Sequence, residues 1–481
     1  MLGKLRSARR RRGLAAVGVI ALATLTLSGC SKSNAAKVDL NQAKPKTLRM
    51  LYASTEADSA AVMALVPAFK QKFGIDLQID SQAQPGLQTK AFAELASRSS
   101  AYDIMIVDSS WMPSLVGKLE PLNSYLTNSS LNDMANTDVG DFIPKVFYDT
   151  SVYNPKNILA HYPDPAAKVD PAAIKAKGFD IYNLPIQANV LVQANRMDLF
   201  NDLAQKAAYQ AEFGKPLQVP KTLDEYRQVA KFFTQPDKKL YGTTVMAGVG
   251  DWATDDFKSL LADYGGNGEL VGDNLSMDFN SAAGVKALTY YRTLITDGSV
   301  PPGSTSADWN TTAEAFDSGT TAMTQNYHTV ALNKGVQGTI GYSLAPSGTA
   351  SGPHFGTWGL AVNPYGKNKA WAYRAMTWLT AATQQLSMTK DMLHPTRTSV
   401  YKDVESQAKN PSLVEFYKVM GQALAVGVGR PRLSNYTEVA QAIAVAVNQA
   451  ATGKSDPASA LSSAASQVKR LVEQAGIKPG Q

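Results

Sequence analysis

An α/β fold built on a parallel sheet is what this sequence predicts, and two observations carry it. Between residues 48 and 108, short apolar runs alternate with stretches of helical spacing, the strand–helix–strand–helix–strand order of an α/β layer. The chain has 481 residues, 44% hydrophobic and 18% charged. That is apolar material for roughly two or three domain-sized units and too much for a disordered chain.

Residues 48–53 (LRMLYA) read as the first strand. Val62, Leu65, Val66, Phe69 and Phe73 then recur at helical spacing, and Gly74 stops the helix. Ile75, Leu77 and Ile79 alternate as a second strand. A helix through Phe92 and Leu95 leads to a short buried strand over 102–108 (YDIMIVD), which ends in the carboxylate of Asp108. In open parallel sheets ligands sit beyond the carboxyl ends of the strands, so Asp108 and Ser109-Ser110-Trp111 lie where a site is expected. The second half opens around 184–189 (LPIQAN), followed by another apolar run. Thr222-Leu223-Asp224-Glu225 is a capping box that starts a helix through Tyr226, Val229, Phe232 and Phe233. Residues 264–268 (YGGNG) form a loop; the glycines at 266, 268 and 272 are misspaced for a dinucleotide site and follow a helix-like segment. Further helices are expected over 288–295, 370–379 and 438–450, and a last one starts at Asp456-Pro457 with the aspartate as its cap.

The formal charge of +7 has a local origin. Lys4, Arg6, Arg9, Arg10, Arg11 and Arg12 precede every acidic residue, and the other basic side chains nearly balance the 40 acidic ones. A nucleic-acid footprint needs a basic patch on the folded part, so no nucleic-acid partner is expected. After the basic run comes an apolar stretch over 14–27, too short for a comfortable membrane span. Leu27-Ser28-Gly29-Cys30 then resembles the bacterial lipobox, in which the cysteine is lipidated. Residues 1–29 are therefore expected to be a lipoprotein signal peptide, Cys30 the lipidation site and 30–45 a polar tether. Cys30 is the only cysteine, which rules out an internal disulfide; a lone cysteine also serves simply as a small apolar residue. The expected location is outside the cytoplasm, anchored by lipid to the cell membrane on its periplasmic or cell-surface side.

Catalytic signatures are thin. The four histidines (161, 328, 354, 394) lack metal-ligand spacing, and no Gly-x-Ser-x-Gly elbow or phosphate loop occurs. A glycosidase needs only two carboxylates, which spacing does not exclude. The expectation is a binding protein and not an enzyme, with no cofactor and no metal.

Seven landmarks then occur in a recognisable order. YDIMIVDSSWMPSLVGKLEPLNSYL (102–126) resembles the element after the third strand in family 1 extracellular solute-binding proteins of ABC importers. LPIQANVLVQANRMDLF (184–200) looks like that family's first lobe crossing, and VPKTLDEYRQVAKFF (219–233) like its Pro-x-Thr-x-x-Glu helix start. AFDSGTTAMTQNY (315–327) is similar to its Phe, Gly, Ala and Met signature before a site loop. FGTWGLAVNPYGKNKAWAYRAMTWL (355–379) looks like its glycine–tryptophan return strand and helix; HPTRTSVYKD (394–403) and RPRLSNYTEV (430–439) complete the order. The resemblance implies a two-lobe, periplasmic-binding-protein-like fold of type II, each lobe a mostly parallel sheet flanked by helices. Lobe one would comprise 46–187 and 345–394, lobe two 188–344 and 395–481. It further implies a monomeric substrate-binding lipoprotein that captures a solute, a carbohydrate or polyol, in the interlobe cleft. Hinge closure would follow capture, and the transmembrane permease subunits of the importer would receive the solute.

A sugar or polyol offers hydroxyls that donate and accept, plus apolar C–H faces, so its site needs carboxylates, amides and aromatic rings. The resemblance places such contacts at Glu56 after the first strand and at Asp108 and Trp111 after the third. Gln187 and Asn189 follow at the crossing, Asp251 and Trp252 after Val249-Gly250, and Asn326 and Tyr327 after the Ala-Met strand. Gly356, Trp358 and Arg397 come from the return segments. Many relatives have tryptophan where this chain has Tyr327. Other roles stay open for several of these: Glu56 and Asp108 also suit helix caps, the tryptophans core packing, and Arg397 a hinge salt bridge. Trp309 is unassigned, and Arg430 is given a structural role. A polyamine would demand several carboxylates in the cleft; glycerol phosphate or another small anion would demand Arg or helix N-termini. A surface sensor or adhesion lipoprotein without transport is the alternative in role.

Overall fold

β1 (Thr47–Ala53) forms where the apolar run was expected, and in the computed structural model of the chain it is a central strand of the larger sheet. The helix expected from Val62 to Phe73 is interrupted: Ser59–Met63 is a short turn of its own, and α1 (Val66–Phe73) begins afresh at Val66-Pro67. Proline lacks the N–H that a helix interior needs, so it restarts a helix where it stands. Gly74 closes α1 at φ 64°, a left-handed conformation open to a residue without Cβ. β2 (Asp76–Gln82), α2 (Gln84–Ala96) and β3 (Ile104–Asp108) follow, with β1 parallel to both neighbouring strands. After α3 (Pro144–Ser151) and the small pair β4 (Val152–Tyr153) and β5 (Asp180–Ile181) come β6 (Leu184–Val190) and β7 (Val192–Arg196), separated only by Leu191.

Helices dominate the rest of the chain. These are α4 (Leu223–Phe233), α5 (Asp251–Asp263), α6 (Ala282–Thr296) and α7 (Trp309–Asp317), before β8 (Met323–Asn326), β9 (Ile340–Ser343) and β10 (Phe355–Val362). Last are α8 (Lys369–Leu379), α9 (Thr398–Gln407), α10 (Pro411–Val426), α11 (Tyr436–Ala451) and α12 (Pro457–Gln474). The capping box at Thr222 and the Asp456 cap form as expected. The structure describes residues 42–54, 58–132, 138–266, 268–327, 336–391, 394–407 and 411–479. The leader, Cys30, most of the tether, Glu56 and His328 lie outside them. No helix among the described residues is long and apolar enough to cross a membrane.

The larger sheet has the order β2-β1-β3-β10-β6, and β10 runs antiparallel to both of its neighbours. Four strands therefore share one direction and β10 alone opposes them. The smaller sheet, β8-β7-β9, is antiparallel throughout, with a parallel bridge from Tyr241 to Thr321 at its margin. The mostly parallel layer expected of each lobe thus describes the first sheet and not the second. There β7 arrives directly from β6 as the middle strand, and the two other strands flank it in the opposite sense.

Among the described residues, two large apolar clusters pack the smaller sheet, the β6–β7 ribbon and the helices around them. One joins α4, α5, α6, α11 and α12 through residues such as Phe257, Tyr291, Ile443, Leu461 and Val468. The other lies along the β6–β7 ribbon, where Ala188, Val190, Val192 and Ala194 meet Phe416, Tyr417 and Met420 of α10. Strand side chains alternate between faces, so the opposite face of that ribbon carries Gln187, Asn189 and Leu191. The chain passes the level of Leu191 three times: Leu191 N donates to His354 O (3.0 Å), and Phe355 N to Val428 O (3.1 Å).

Candidate ligand-binding site

Strand register sets out one wall of the site. Trp358 on β10 pairs with Asp108 of β3 on one side and Gln187 of β6 on the other, and Gly356 faces Asn189. Asn189 Oδ1 accepts the Gly356 N–H at 3.1 Å. A Cβ at position 356 would lie 2.9 Å from that oxygen and 3.0 Å from Arg430 Nη1, so the absence of a side chain admits the guanidinium. Beyond β3, Asp108 Oδ1 accepts the Ser110 N–H at 2.7 Å, and the turn sets Trp111 edge-on to Trp358, centroids 5.4 Å apart at 86°.

The other wall is made of helix starts. Asp251, Trp252 and Asp255 come from the first turns of α5, Asp308 and Trp309 from the start of α7, and Tyr436 and Thr437 from the start of α11. Tyr327 follows β8 directly. Together with the sheet wall they line a cavity of about 670 Å³ that holds four of the chain's six tryptophans.

Arg430 is its electrostatic centre. Nη1 donates to Asp108 Oδ1 (3.2 Å) and Ser109 Oγ (3.3 Å); Nη2 donates to Asp255 Oδ2 (3.0 Å) and lies 3.7 Å from Asp251 Oδ2. One planar fork thus joins the end of β3 to α5. Burial works against the Arg430 charge, yet the surrounding carboxylates raise its pKa well above the usual value. Burial likewise opposes the Asp255 charge, and Arg430 with His354 holds that carboxyl well below the usual range. His354 Nε2 lies 3.2 Å from Asp255 Oδ2. Burial pushes the imidazole down to about 4, so it is neutral at neutral pH. Depth in the cleft, with Asp255 nearby, pushes Asp251 up to about 6. Gln187 Oε1, Trp252 Nε1, Asp255 Oδ1 and Tyr327 OH belong to lining side chains and have no hydrogen-bond partner in the protein. Each such buried group costs about 1–3 kcal/mol until something pairs with it.

Of the residues singled out from the sequence, Asp108, Trp111, Gln187, Asn189, Asp251, Trp252, Tyr327, Gly356 and Trp358 line this cavity. Asn326 and Arg397 do not. Asn326 Nδ2 donates to Trp309 O (2.9 Å) and Thr312 Oγ1 (3.0 Å), which braces α7 from behind. Arg397 is buried with its guanidinium 4.0 Å over the Phe142 ring; Nε donates to Thr380 O at 2.6 Å, and burial pulls it down to about 10. Asp251 and Trp252, expected after Val249-Gly250, open α5. Sequence reasoning did not select Asp255, His354, Asp308, Trp309 or Tyr436, and it gave Arg430 only a structural role. The Asp251/Asp255 spacing of four puts both on one face of a helix, and that spacing was the signal that could have found Asp255.

Two lobes joined by crossing strands, with a polar and aromatic cavity at the crossing, define a protein that encloses a small solute. This chain belongs to the bacterial extracellular solute-binding protein family, whose sequence model matches residues 52–386. Membership implies a place outside the cytoplasm and a role in binding, not catalysis. A Deinococcus radiodurans protein, named "Probable ABC transporter-binding protein", is 27% identical over 285 residues, 56% of this chain and 65% of that relative. An ABC transporter solute-binding protein from Agrobacterium radiobacter K84, solved in complex with ribitol, superposes with a TM-score of 0.69 at 25% identity. The match covers 88% of this chain and 98% of that one. Maltose-bound MalE3 of T. maritima has the same fold, with a TM-score of 0.69 at 20% identity over 88% and 99% of the two chains.

Proposed function

We propose that this protein is the substrate-binding lipoprotein of an ABC importer, anchored through Cys30, and that it captures a carbohydrate or polyol and delivers it to a membrane permease. The observation that carries this reading is the cavity itself. Its tryptophan faces suit C–H surfaces, and its amide, carboxylate and unpartnered hydroxyl groups suit a ligand rich in hydroxyls. The ribitol bound by the Agrobacterium relative supports the same class. A cavity of about 670 Å³ is in the range that encloses small ligands. A small anion is disfavoured, because the one arginine in the lining already faces three carboxylates.

In this reading lobe one keeps the larger sheet and lobe two the smaller, and the three strands of chain at Leu191, His354 and Val428 act as the hinge. Arg430, bonded to both walls, draws them together. Closure would follow from ligand contacts with both walls. A thermal-shift screen against mono-, di- and trisaccharides, polyols, amino acids and polyamines tests the class, since a ligand bound only by the folded state raises Tm by mass action. Stabilisation by sugars or polyols is the expected result. Stabilisation by amino acids alone would overturn the substrate class, and loss of uptake on deleting the gene would test delivery.

A further inference from the structure

The cavity lining carries more carboxylates than cations. Among the described residues, Asp58, Asp108, Asp251, Asp255 and Asp308 all line it, against a single lining guanidinium, Arg430. His354 is neutral, as burial dictates. Lys258, on α5 itself, donates to the carbonyls of Val428 and Gly429, and its charge is shared among Glu269, Asp255 and Asp149. The starts of α5, α7 and α11 contribute about half a positive charge each, which with Arg430 offsets only half of the five carboxylates. Asp58 meets His394 Nδ1 at 3.1 Å, and Asp308 caps α7 through the Thr311 N–H (2.8 Å). Even so, the wall stays negative.

The same cavity is ringed by Trp111, Trp252, Trp309, Tyr327, Trp358 and Tyr436. Aromatic faces attract cations, more strongly when desolvated. Carboxylates and ring faces converging on one enclosed space are the surroundings that bind ammonium groups. A second observation is independent of the charges: Tyr327 OH and Gln187 Oε1, on lining side chains that are 7% and 2% exposed, have no partner in the protein and require hydroxyl or amine groups from a ligand.

Resting on the carbohydrate reading, we propose that the natural ligand carries a protonated amine, as in an amino sugar or amino-polyol, seated against Asp251 and Asp308 among the tryptophan rings. A neutral sugar leaves the surplus negative charge in place, an anion adds to it, and an ammonium relieves it.

The test is calorimetric titration of the protein at neutral pH with matched pairs: D-glucose against D-glucosamine, D-galactose against D-galactosamine, and sorbitol against 1-amino-1-deoxysorbitol. N-acetylglucosamine serves as the uncharged control and spermidine as an amine without the sugar frame. The expected result is an amine that binds tenfold or more tightly than its neutral partner, with the gain lost on N-acetylation and reduced by added salt. Asp251→Asn should lower the ratio of amine to neutral affinity, and Asp308→Asn, which retains a side chain able to cap α7, should do so independently. Equal or weaker binding of the amines beside measurable binding of the neutral partners would overturn this inference and leave the carbohydrate reading standing. Binding of spermidine alone would overturn the carbohydrate reading, and silence across all the pairs would overturn both.

Discussion

Arg430 couples the two walls through charge, and its removal has a calculable consequence. Asp108 and Asp255 are both buried, so Arg430→Gln leaves two carboxylates in a low-dielectric site with their main partner gone. Breaking a buried pair from one side costs about 3–5 kcal/mol, which chemical denaturation should read directly; Arg430→Lys should recover part of it by restoring charge without the fork. His354 makes a second prediction. Its folded pKa of about 4 lies below the free imidazole value. As pH falls from about 6.5 toward 4, the unfolded chain takes up a proton that the folded one refuses, so stability is lost at up to about 1.4 kcal/mol per pH unit. Asp256 and Asp263, each raised to about 7 by burial, have the opposite sign over much of that window. They titrate alike in a His354→Gln variant and cancel in the comparison. The variant should therefore lose less stability between pH 7 and 4.5 than the wild type (about one proton's worth), and equal slopes would refute the assignment.

At the scale of elements, the β6–β7 ribbon does two jobs with one period. Alternate residues, Ala188, Val190, Val192 and Ala194, are apolar and enter a core; the residues between them, Gln187 and Asn189, meet the cavity. The sequence reading took the residues after LPIQAN as an apolar run and not as an alternation, whereas β1 to β3 and the helices with clear caps were legible. α7, α9 and α10 were not; α10 in particular packs Phe416, Tyr417 and Met420 on the β6–β7 ribbon, a partner more than 200 residues earlier in the chain that local periodicity does not show. α5 was read only as a helix-like segment before the 264–268 loop: Asp251, Trp252, Asp255 and Asp256 put polar groups on several faces, and their partners (Arg430 and His354 for Asp255, the Met246 N–H and Tyr291 hydroxyl for Asp256) come from elsewhere in the chain. β10 yields a test of the site's geometry. Gly356→Ala adds a methyl 2.9 Å from Asn189 Oδ1 and 3.0 Å from Arg430 Nη1, in a strand whose backbone tolerates alanine. Overpacking of this kind costs about 1–3 kcal/mol. The expected outcome is a folded protein with ligand affinity reduced tenfold or more, measured by titration.

For the whole molecule, the arrangement predicts closure. The crossings at Leu191, His354 and Val428 are narrow, whereas the walls they join meet the cavity from opposite sides. Solution scattering with a ligand found in the screen should give a smaller radius of gyration than without it. No change would mean that the walls are already fixed by Arg430, and that ligands enter without lobe motion. The buried contacts of Lys258 with the carbonyls of Val428 and Gly429 hold the third crossing against α5, and so define where the motion can pivot.

Sequence alone determined the α/β class, the first strands, the capped helices and the family, because each depends on local periodicity or on motifs contiguous in the chain. It also marked nine of the residues that line the cavity, since those motifs carry them. Tertiary structure decided the rest. Arg430 meets Asp108 and Asp255 from 322 and 175 residues away, and His354 reaches Asp255 only because β10 returns beside the crossing. Asn326 and Arg397 were drawn instead into bracing contacts. Charge pairing of this kind depends on distance and desolvation, which are properties of the folded space and not of the order of residues.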